Sequence, residues 1–229
     1  VLLSGIIKAK ASDNKMKKLY HLGLLWHKVA YKLLSNLNVE GLSNVPMEGP
    51  LLIIANHQSN ADPPLIAACM PRDVAFLAKE GLFKGPIVSY IFRSLSMYPV
   101  SKNKANYSST KWAFNILNQN QSLCIFPESK RNPKSMQKGA LGAAFLAAKS
   151  KALILPVGIT GSENIGSILR IPFPFCQINV RIGQAFRIPT QTSTPSRTQL
   201  RELTDMMMER IAQLIPEEYQ GYYKVKQNK

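Results

Sequence analysis

A chain of 229 residues, 45% of them hydrophobic, can bury a sizeable core, which excludes a disordered or fibrous chain; the length suits one generous α/β domain or two small ones, and one is expected. Twenty-nine Lys and Arg stand against 13 Asp and Glu, a formal net charge of +16, and between Gly81 and Arg201 the only acids are Glu128 and Glu163. That surplus predicts an anionic partner: nucleic acid, a phospholipid surface, a phosphorylated substrate or an acidic carrier protein.

Ser12-Asp13 marks a helix start, and from Leu19 an apolar stripe follows at helical spacing through Leu22, Trp26, Val29, Leu33 and Leu37. Lys17, His21, Lys28, Lys32 and Asn36 take the opposite side. Two fates suit this basic amphipathic segment: lying in a membrane interface, or docking on the domain core. Beyond it the texture alternates between strand and helix. Residues 51–55 read as a short buried strand, followed by a helix with Asp62 as N-cap and Pro63 at its first position. Strands are expected at 74–78, 97–100, 123–126 and 153–159, with helices at 80–93, 108–118 and 139–149 between them. Strands at 178–182 and 185–188, a Thr/Ser/Pro linker at 189–196 and a last helix at 198–214 complete the chain. The alternation predicts an α/β fold with a mixed, largely parallel central sheet flanked by helices. The division expected is a basic helical segment over 1–40, an α/β domain over 41–190, and a linker with a packed helix over 191–229.

The three cysteines, Cys69, Cys124 and Cys176, form neither a disulfide framework nor a metal-ligand spacing, so reduced and mostly buried thiols are expected. No run approaches the ~18 apolar residues that span a bilayer. The short apolar start gives way to Lys8, Lys10 and Lys15, unlike a signal peptide, and the first residue is Val rather than Met, which leaves room for an upstream segment.

Two strand ends carry chemistry. Asn56-His57-Gln58-Ser59-Asn60-Ala61-Asp62-Pro63 lies directly after the 51–55 strand, where open α/β sheets place their ligands. His57 and Asp62 can face one another across that turn, the carboxylate holding one ring nitrogen and leaving the other to accept a proton. The alternative is a helix cap at Asp62 beside an ordinary loop histidine. Phe126-Pro127-Glu128-Ser129-Lys130-Arg131 follows another strand and offers an acid beside two cations, the arginine fork being suited to phosphate. An incidental ion pair in a solvated turn would look the same. Tyr98-Pro99-Val100-Ser101-Lys102 ends a third strand in a lysine, and Ser135-Met136-Gln137-Lys138-Gly139-Ala140 is expected to open a helix, whose N-terminus favours anions.

Taken in order, these blocks resemble the lysophosphatidate acyltransferase branch of the glycerolipid acyltransferases. The family's H-x-x-x-x-D block is similar to His57 through Asp62, and its Lys-Glu-x-Leu-Phe run to Lys79-Glu80-Gly81-Leu82-Phe83 leading to Lys102. Its Phe-Pro-Glu-Gly-Thr-Arg block is similar to Phe126 through Arg131, and its proline-bearing strand to Ile154-Leu155-Pro156-Val157-Gly158-Ile159. The match runs from about Gly49 to Gly161. The chain departs from the pattern at Lys102, where the family usually has arginine, at Ser96, where it has glycine, and at Ser129-Lys130, which replace Gly-Thr.

The resemblance implies an O-acyltransferase that moves a fatty acyl group from acyl-CoA or acyl-ACP to the hydroxyl of lysophosphatidate, giving phosphatidate. His57 would be the general base and Asp62 its orienting partner. Lys102 and Arg131 would hold the acceptor phosphate with Lys79 and Lys138, while Glu128 positions Arg131 or an acceptor hydroxyl, kept ionised by the cations around it. No metal or cofactor is implied beyond the acyl donor. The expected location is the cytoplasmic side of an anionic phospholipid membrane, peripheral or monotopic. Glycerol 3-phosphate or another lysophospholipid is the alternative acceptor, and a non-catalytic anionic-membrane-binding module is the alternative of another class. Nucleic acid is disfavoured because aromatics do not interleave with the bases, and a hydrolase because no Gly-x-Ser-x-Gly elbow is present.

Overall fold

The computed structural model describes residues 21–86, 89, 96–100, 107–188 and 195–224. Lys102, residues 1–20 of the basic segment, residues 189–194 of the linker, and most of the helix expected at 80–93 beyond residue 86 lie outside them. Helix α1 covers 21–34 and leads into strand β1, Asn36–Glu40. Then come β2 (Leu51–Ala55), α2 (Asp62–Cys69), β3 (Val74–Lys79), β4 (Met97–Val100), α3 (Tyr107–Asn118) and β5 (Ser122–Ile125). Helix α4 (Gly142–Ser150), β6 (Leu153–Thr160), β7 (Gln177–Ile182), α5 (Arg197–Ala212) and α6 (Glu217–Gln220) follow.

The strands form one sheet in the order β1-β7-β6-β2-β5-β3-β4, parallel at each pairing except β6 with β7. At its centre, Ile53 of β2 stands in register with Leu155 of β6 and Cys124 of β5. All five residues of β2 are buried, because helices cover both faces of a parallel strand and its sequence must be apolar throughout. Leu51, Ile53 and Ala55 pack with Leu65 and Ile66 of α2 and Tyr31 of α1. Leu52 and Ile54 point the other way, into a core with Leu117 of α3, Leu146 of α4 and Met208 and Ile211 of α5. Ser196 caps α5 and Gln199 returns the contact to its backbone, a reciprocal box that fixes where the helix starts.

Several elements differ from expectation. The first helix stops at residue 34, and Leu37, whose spacing continues the stripe, belongs to β1, which pairs with β7 at the edge of the sheet. The stripe itself faces outward, with Leu22, Trp26, Val29 and Leu33 exposed and Leu25 exposed beside them, while Ala30 and Tyr31 are the residues of α1 buried against the domain. Ala61, not Asp62, occupies the N-cap of α2, and no side chain caps that end. Residues 80–82 form a single 3-10 turn rather than the first turn of a long helix. Residues 185–188 contribute one bridge, Phe186 to Ile154, and no strand. Helix α4 begins at Gly142, so Lys138 precedes it in irregular chain and does not stand at a helix opening.

Gly161 ends β6 at φ +87°, and a Cβ there would lie 2.1 Å from the Gln177 carbonyl oxygen. Only glycine permits this turn, and the turn carries the chain from β6 into the residue that follows, Ser162. The three cysteines are unpaired: Cys124 is buried and the other two half-buried, with burial pushing the Cys69 thiol up to about 12. Among the described residues no helix is long and apolar enough to cross a membrane.

Candidate active site

Strands β6, β2 and β5 are neighbours and parallel, so the loops after their C-terminal ends meet. The loop after β2 carries His57 and Asp62. Their side chains face each other, with Nδ1 of His57 2.7 Å from Oδ2 of Asp62. Since the carboxylate oxygen accepts, Nδ1 carries the hydrogen, and in the neutral imidazole the lone pair is then on Nε2. The imidazole is partly exposed, 18% of its side chain, and stacks on Phe126 with ring centroids 4.2 Å apart.

Asp62 is completely buried, and donors surround it. The backbone N–H groups of Gln58 and Ser59 donate to Oδ2 at 2.7 and 2.8 Å, so the carboxylate closes its own loop. Oδ1 accepts the Ser162 hydroxyl at 2.6 Å. Ser162 is itself fully buried and comes from the end of β6, one hundred residues away. Nothing local in the sequence marks it. Asn56, also buried, ties the end of β2 to β6: its Nδ2 donates to the Ile159 carbonyl at 2.8 Å and its Oδ1 accepts from the Ile159 N–H at 2.7 Å.

The loop after β5 is stitched to the same turn. Glu128 accepts the His57 backbone N–H on Oε1 at 3.0 Å, and the Asn132 amide and Gln137 N–H on Oε2 at 2.7 and 2.8 Å. The Asn132 N–H returns a bond to the His57 carbonyl at 2.8 Å, and the Lys134 N–H donates to Oε1 of Gln58 at 2.6 Å. Glu128 therefore holds the backbone of the histidine; of the two roles expected for it, positioning Arg131 or an acceptor hydroxyl, no contact with Arg131 is made among the described residues. Burial pushes the Glu128 carboxyl up, against three hydrogen-bond donors and the charge of the nearby His57 that pull it down. Among the described residues Arg131 makes no hydrogen bond or ion pair and is exposed.

Lys79 ends β3 and is exposed, and Lys138 is exposed with its ammonium 5.6 Å from the Tyr222 ring centroid. Lys79, Lys138 and Arg131 thus follow C-terminal ends of parallel strands, the end of the sheet that bears His57. Lys102 lies outside the described residues. At two departures from the family pattern the backbone is left-handed: Ser129 sits at φ +59° and Ser96 at φ +55°, a conformation that glycine adopts freely. Each costs roughly 1 kcal/mol of backbone strain that the surrounding fold sustains.

Ser162→Ala removes one of the donors to a buried carboxylate. The expected loss is about 1–3 kcal/mol of stability, read by thermal denaturation. Ser162→Thr, which keeps the hydroxyl, restores it.

A model of the family described as Acyltransferase matches residues 36–160. The chain is 27% identical over 171 residues to the 1-acyl-sn-glycerol-3-phosphate acyltransferase of Streptococcus pneumoniae, covering 74% of this chain and 59% of that protein. It is also 27% identical over 184 residues to the N-acylphosphatidylethanolamine synthase of Arabidopsis thaliana, covering 69% of this chain and 65% of that one. The chain thus spans about three fifths of the length of these relatives. The crystal structure of the 1-acyl-sn-glycerophosphate (LPA) acyltransferase PlsC from Thermotoga maritima superposes with a TM-score of 0.65 at 27% identity, over 87% of this chain and 78% of that one. With its sheet order, its His57–Asp62 turn and a family model spanning more than half of its length, the chain belongs to the acyltransferase family.

Proposed function

We propose that the protein transfers a fatty acyl group from an acyl thioester, acyl-CoA or acyl-ACP, to the free hydroxyl of lysophosphatidate, giving phosphatidate at the surface of an anionic membrane on its cytoplasmic side. The observation that carries the reading is the His57 imidazole, held at Nδ1 by a buried carboxylate and left with a basic Nε2 at a partly exposed position. The acceptor hydroxyl oxygen attacks the thioester carbonyl carbon while Nε2 takes its proton. The tetrahedral intermediate then expels the thiolate as the C–S bond breaks, and the proton held by His57 passes to the leaving sulfur. Asp62 holds the ring and stabilises the imidazolium that forms between the two steps.

Arg131, Lys79, Lys138 and Lys102 are assigned to the acceptor phosphate, Arg131 by its planar fork and the lysines as point charges. Glu128 is assigned to the His57 backbone and not to the acceptor. A lipid acceptor is favoured over glycerol 3-phosphate by the apolar stripe of α1, which stands exposed on a helix that packs beside the catalytic turn. Tyr31 of that helix lies with its hydroxyl 3.5 Å from the Ala61 carbonyl, and burial, with the charge of Asp62, pushes the hydroxyl well up.

Acyl transfer measured from long-chain acyl-CoA, and separately from acyl-ACP, to lysophosphatidate and to glycerol 3-phosphate tests the reading. Phosphatidate formed from lysophosphatidate in the presence of vesicles is expected. Faster transfer to glycerol 3-phosphate without any lipid surface would replace the acceptor, and no transfer in any pairing by folded protein would leave the non-catalytic membrane-binding module.

A further inference from the structure

The connection between β6 and β7 is long and has an anchored base. Ser162 and Ile165 are buried, the Tyr219 hydroxyl donates to Oε1 of Glu163 at 2.6 Å, and the Cys176 thiol lies 3.8 Å from the Gly161 carbonyl oxygen. Beyond that base the chain turns outward, with Ser167 accepting from the Leu169 N–H to start a short 3-10 turn. The tip then exposes Ile168, Leu169, Phe173 and Phe175, of which Leu169 is 83% and Phe175 62% accessible. Water-facing loops ordinarily carry polar residues at such positions, and an apolar patch of this kind marks an interaction surface.

The patch does not stand alone. Phe173 meets Trp26 of α1 edge-to-face, ring centroids 6.0 Å apart, so the loop tip and the outward stripe of α1 join into one apolar surface. Two segments distant in the chain are brought together there for no core that they themselves fill. The two apolar segments carry basic residues: residues 21–34 hold Lys28 and Lys32 and no acid, and residues 164–176 hold Arg170 and no acid, the loop's one acid, Glu163, being tied to Tyr219 at its base. Aromatic and leucine side chains protruding among lysine and arginine match a bilayer whose headgroups are anionic and whose acyl region is apolar.

We propose that residues 168–175 are a second membrane-insertion element, which enters the same anionic leaflet as the stripe of α1. The inference rests on the membrane reading above and extends it to a part of the chain that amphipathic periodicity does not mark. Both elements abut the catalytic turn, α1 through Tyr31 beside Ala61 and the loop through Ser162 bonded to Asp62. A surface built from two segments, each tied to the catalytic turn, fixes the tilt of the site over the leaflet, which one helix free to roll would not do.

Co-sedimentation of the full chain with vesicles of equal parts phosphatidylglycerol and phosphatidylcholine tests this, with Leu169→Glu/Phe175→Glu beside wild type. Met47→Glu serves as the control, replacing an exposed apolar residue before β2, at the opposite end of the sheet. Wild type and Met47→Glu are expected to bind alike. The double variant is expected to lose at least about tenfold in apparent affinity while keeping its melting transition and its transfer to detergent-dispersed lysophosphatidate. Leu169→Glu alone, at the most exposed position, keeps the test open should the double variant fold poorly, and is expected to lose affinity in the same direction. Double and single variants that bind vesicles as tightly as wild type would overturn the inference. So would a wild-type dimer that the substitutions dissociate without change in vesicle binding, since the surface would then be covered by a second copy. Wild type that transfers acyl groups but binds no vesicle would also overturn it, leaving the proposed reaction standing.

Discussion

His57→Ala is expected to leave a folded protein whose acyl transfer falls by roughly 10²–10⁴, the range that a positioned general base supplies. The folding part of this expectation follows from the surroundings. The imidazole is partly exposed and stacks on one ring, while the contacts that hold the loop run through the His57 backbone: its N–H to Glu128 and its carbonyl from Asn132. Alanine keeps both backbone groups. Truncation costs the stacking on Phe126 and leaves one lone pair of Asp62 without its partner, while the two amides and the Ser162 hydroxyl remain on that carboxylate. The rate constant and the thermal transition should therefore separate, the first collapsing and the second shifting little. Activity unchanged within twofold would remove His57 from the reaction, and an unfolded variant would mean that the side chain is structural.

Asp62→Asn is expected to lower the rate by a similar ~10²–10⁴ while costing less stability than Asp62→Ala. Three donors converge on Oδ2, namely His57 Nδ1, the Gln58 N–H and the Ser59 N–H, so the amide must keep its oxygen there. Its NH₂ then faces Ser162, whose hydroxyl can rotate from donor to acceptor and satisfy it. The geometry survives and the negative charge does not, so the imidazolium formed during transfer loses its stabilisation. Alanine instead strands two backbone donors and a buried hydroxyl, at about 1–3 kcal/mol for each group left unpaired. A kcat lowered in both variants, with a melting temperature clearly lower only in the alanine variant, would separate the charge from the scaffold. An asparagine variant as active as wild type would show that the carboxylate serves the fold alone.

The residues proposed to hold the acceptor have a different physical character from this pair. Arg131, Lys79 and Lys138 are exposed side chains, Lys79 at the end of β3 and the other two in the irregular chain after β5, without the network that fixes His57 and Asp62. Such groups adapt to an anion when it arrives, whereas the base must be held before it does. Both Ser96 and Ser129 make the same point about backbone. At both positions the chain accepts the strain of a left-handed residue, held by backbone bonds: the Ser96 carbonyl accepts from Phe76 of the neighbouring strand, and the Ser129 N–H closes a turn on the Phe126 carbonyl.

What the sequence by itself determined was local. The five apolar residues of β2 identified a strand buried on both faces, and Leu153–Thr160 was legible for the same reason, while Val74–Lys79 and Met97–Val100 were legible as short apolar runs between turn signals, all within a residue at their ends. His57 and Asp62 were legible as a facing pair because five residues around a strand-to-helix turn suffice to bring them together. Where a local pattern was ambiguous, tertiary structure decided. Leu37 continues the stripe of α1 at helical spacing, yet the alternation from Asn36 to Glu40 lets it pair with β7, 141 residues further on, as Leu37 against Ile178. The outward turn of the stripe was likewise open, since periodicity shows that a helix has an apolar face and not what that face meets. Ser162 reaching Asp62 and Glu128 reaching the His57 backbone span 100 and 71 residues. Contacts of that length leave no spacing to read. They exist because the sheet order sets β6, β2 and β5 side by side, and strand order follows from how the helices pack over the whole sheet.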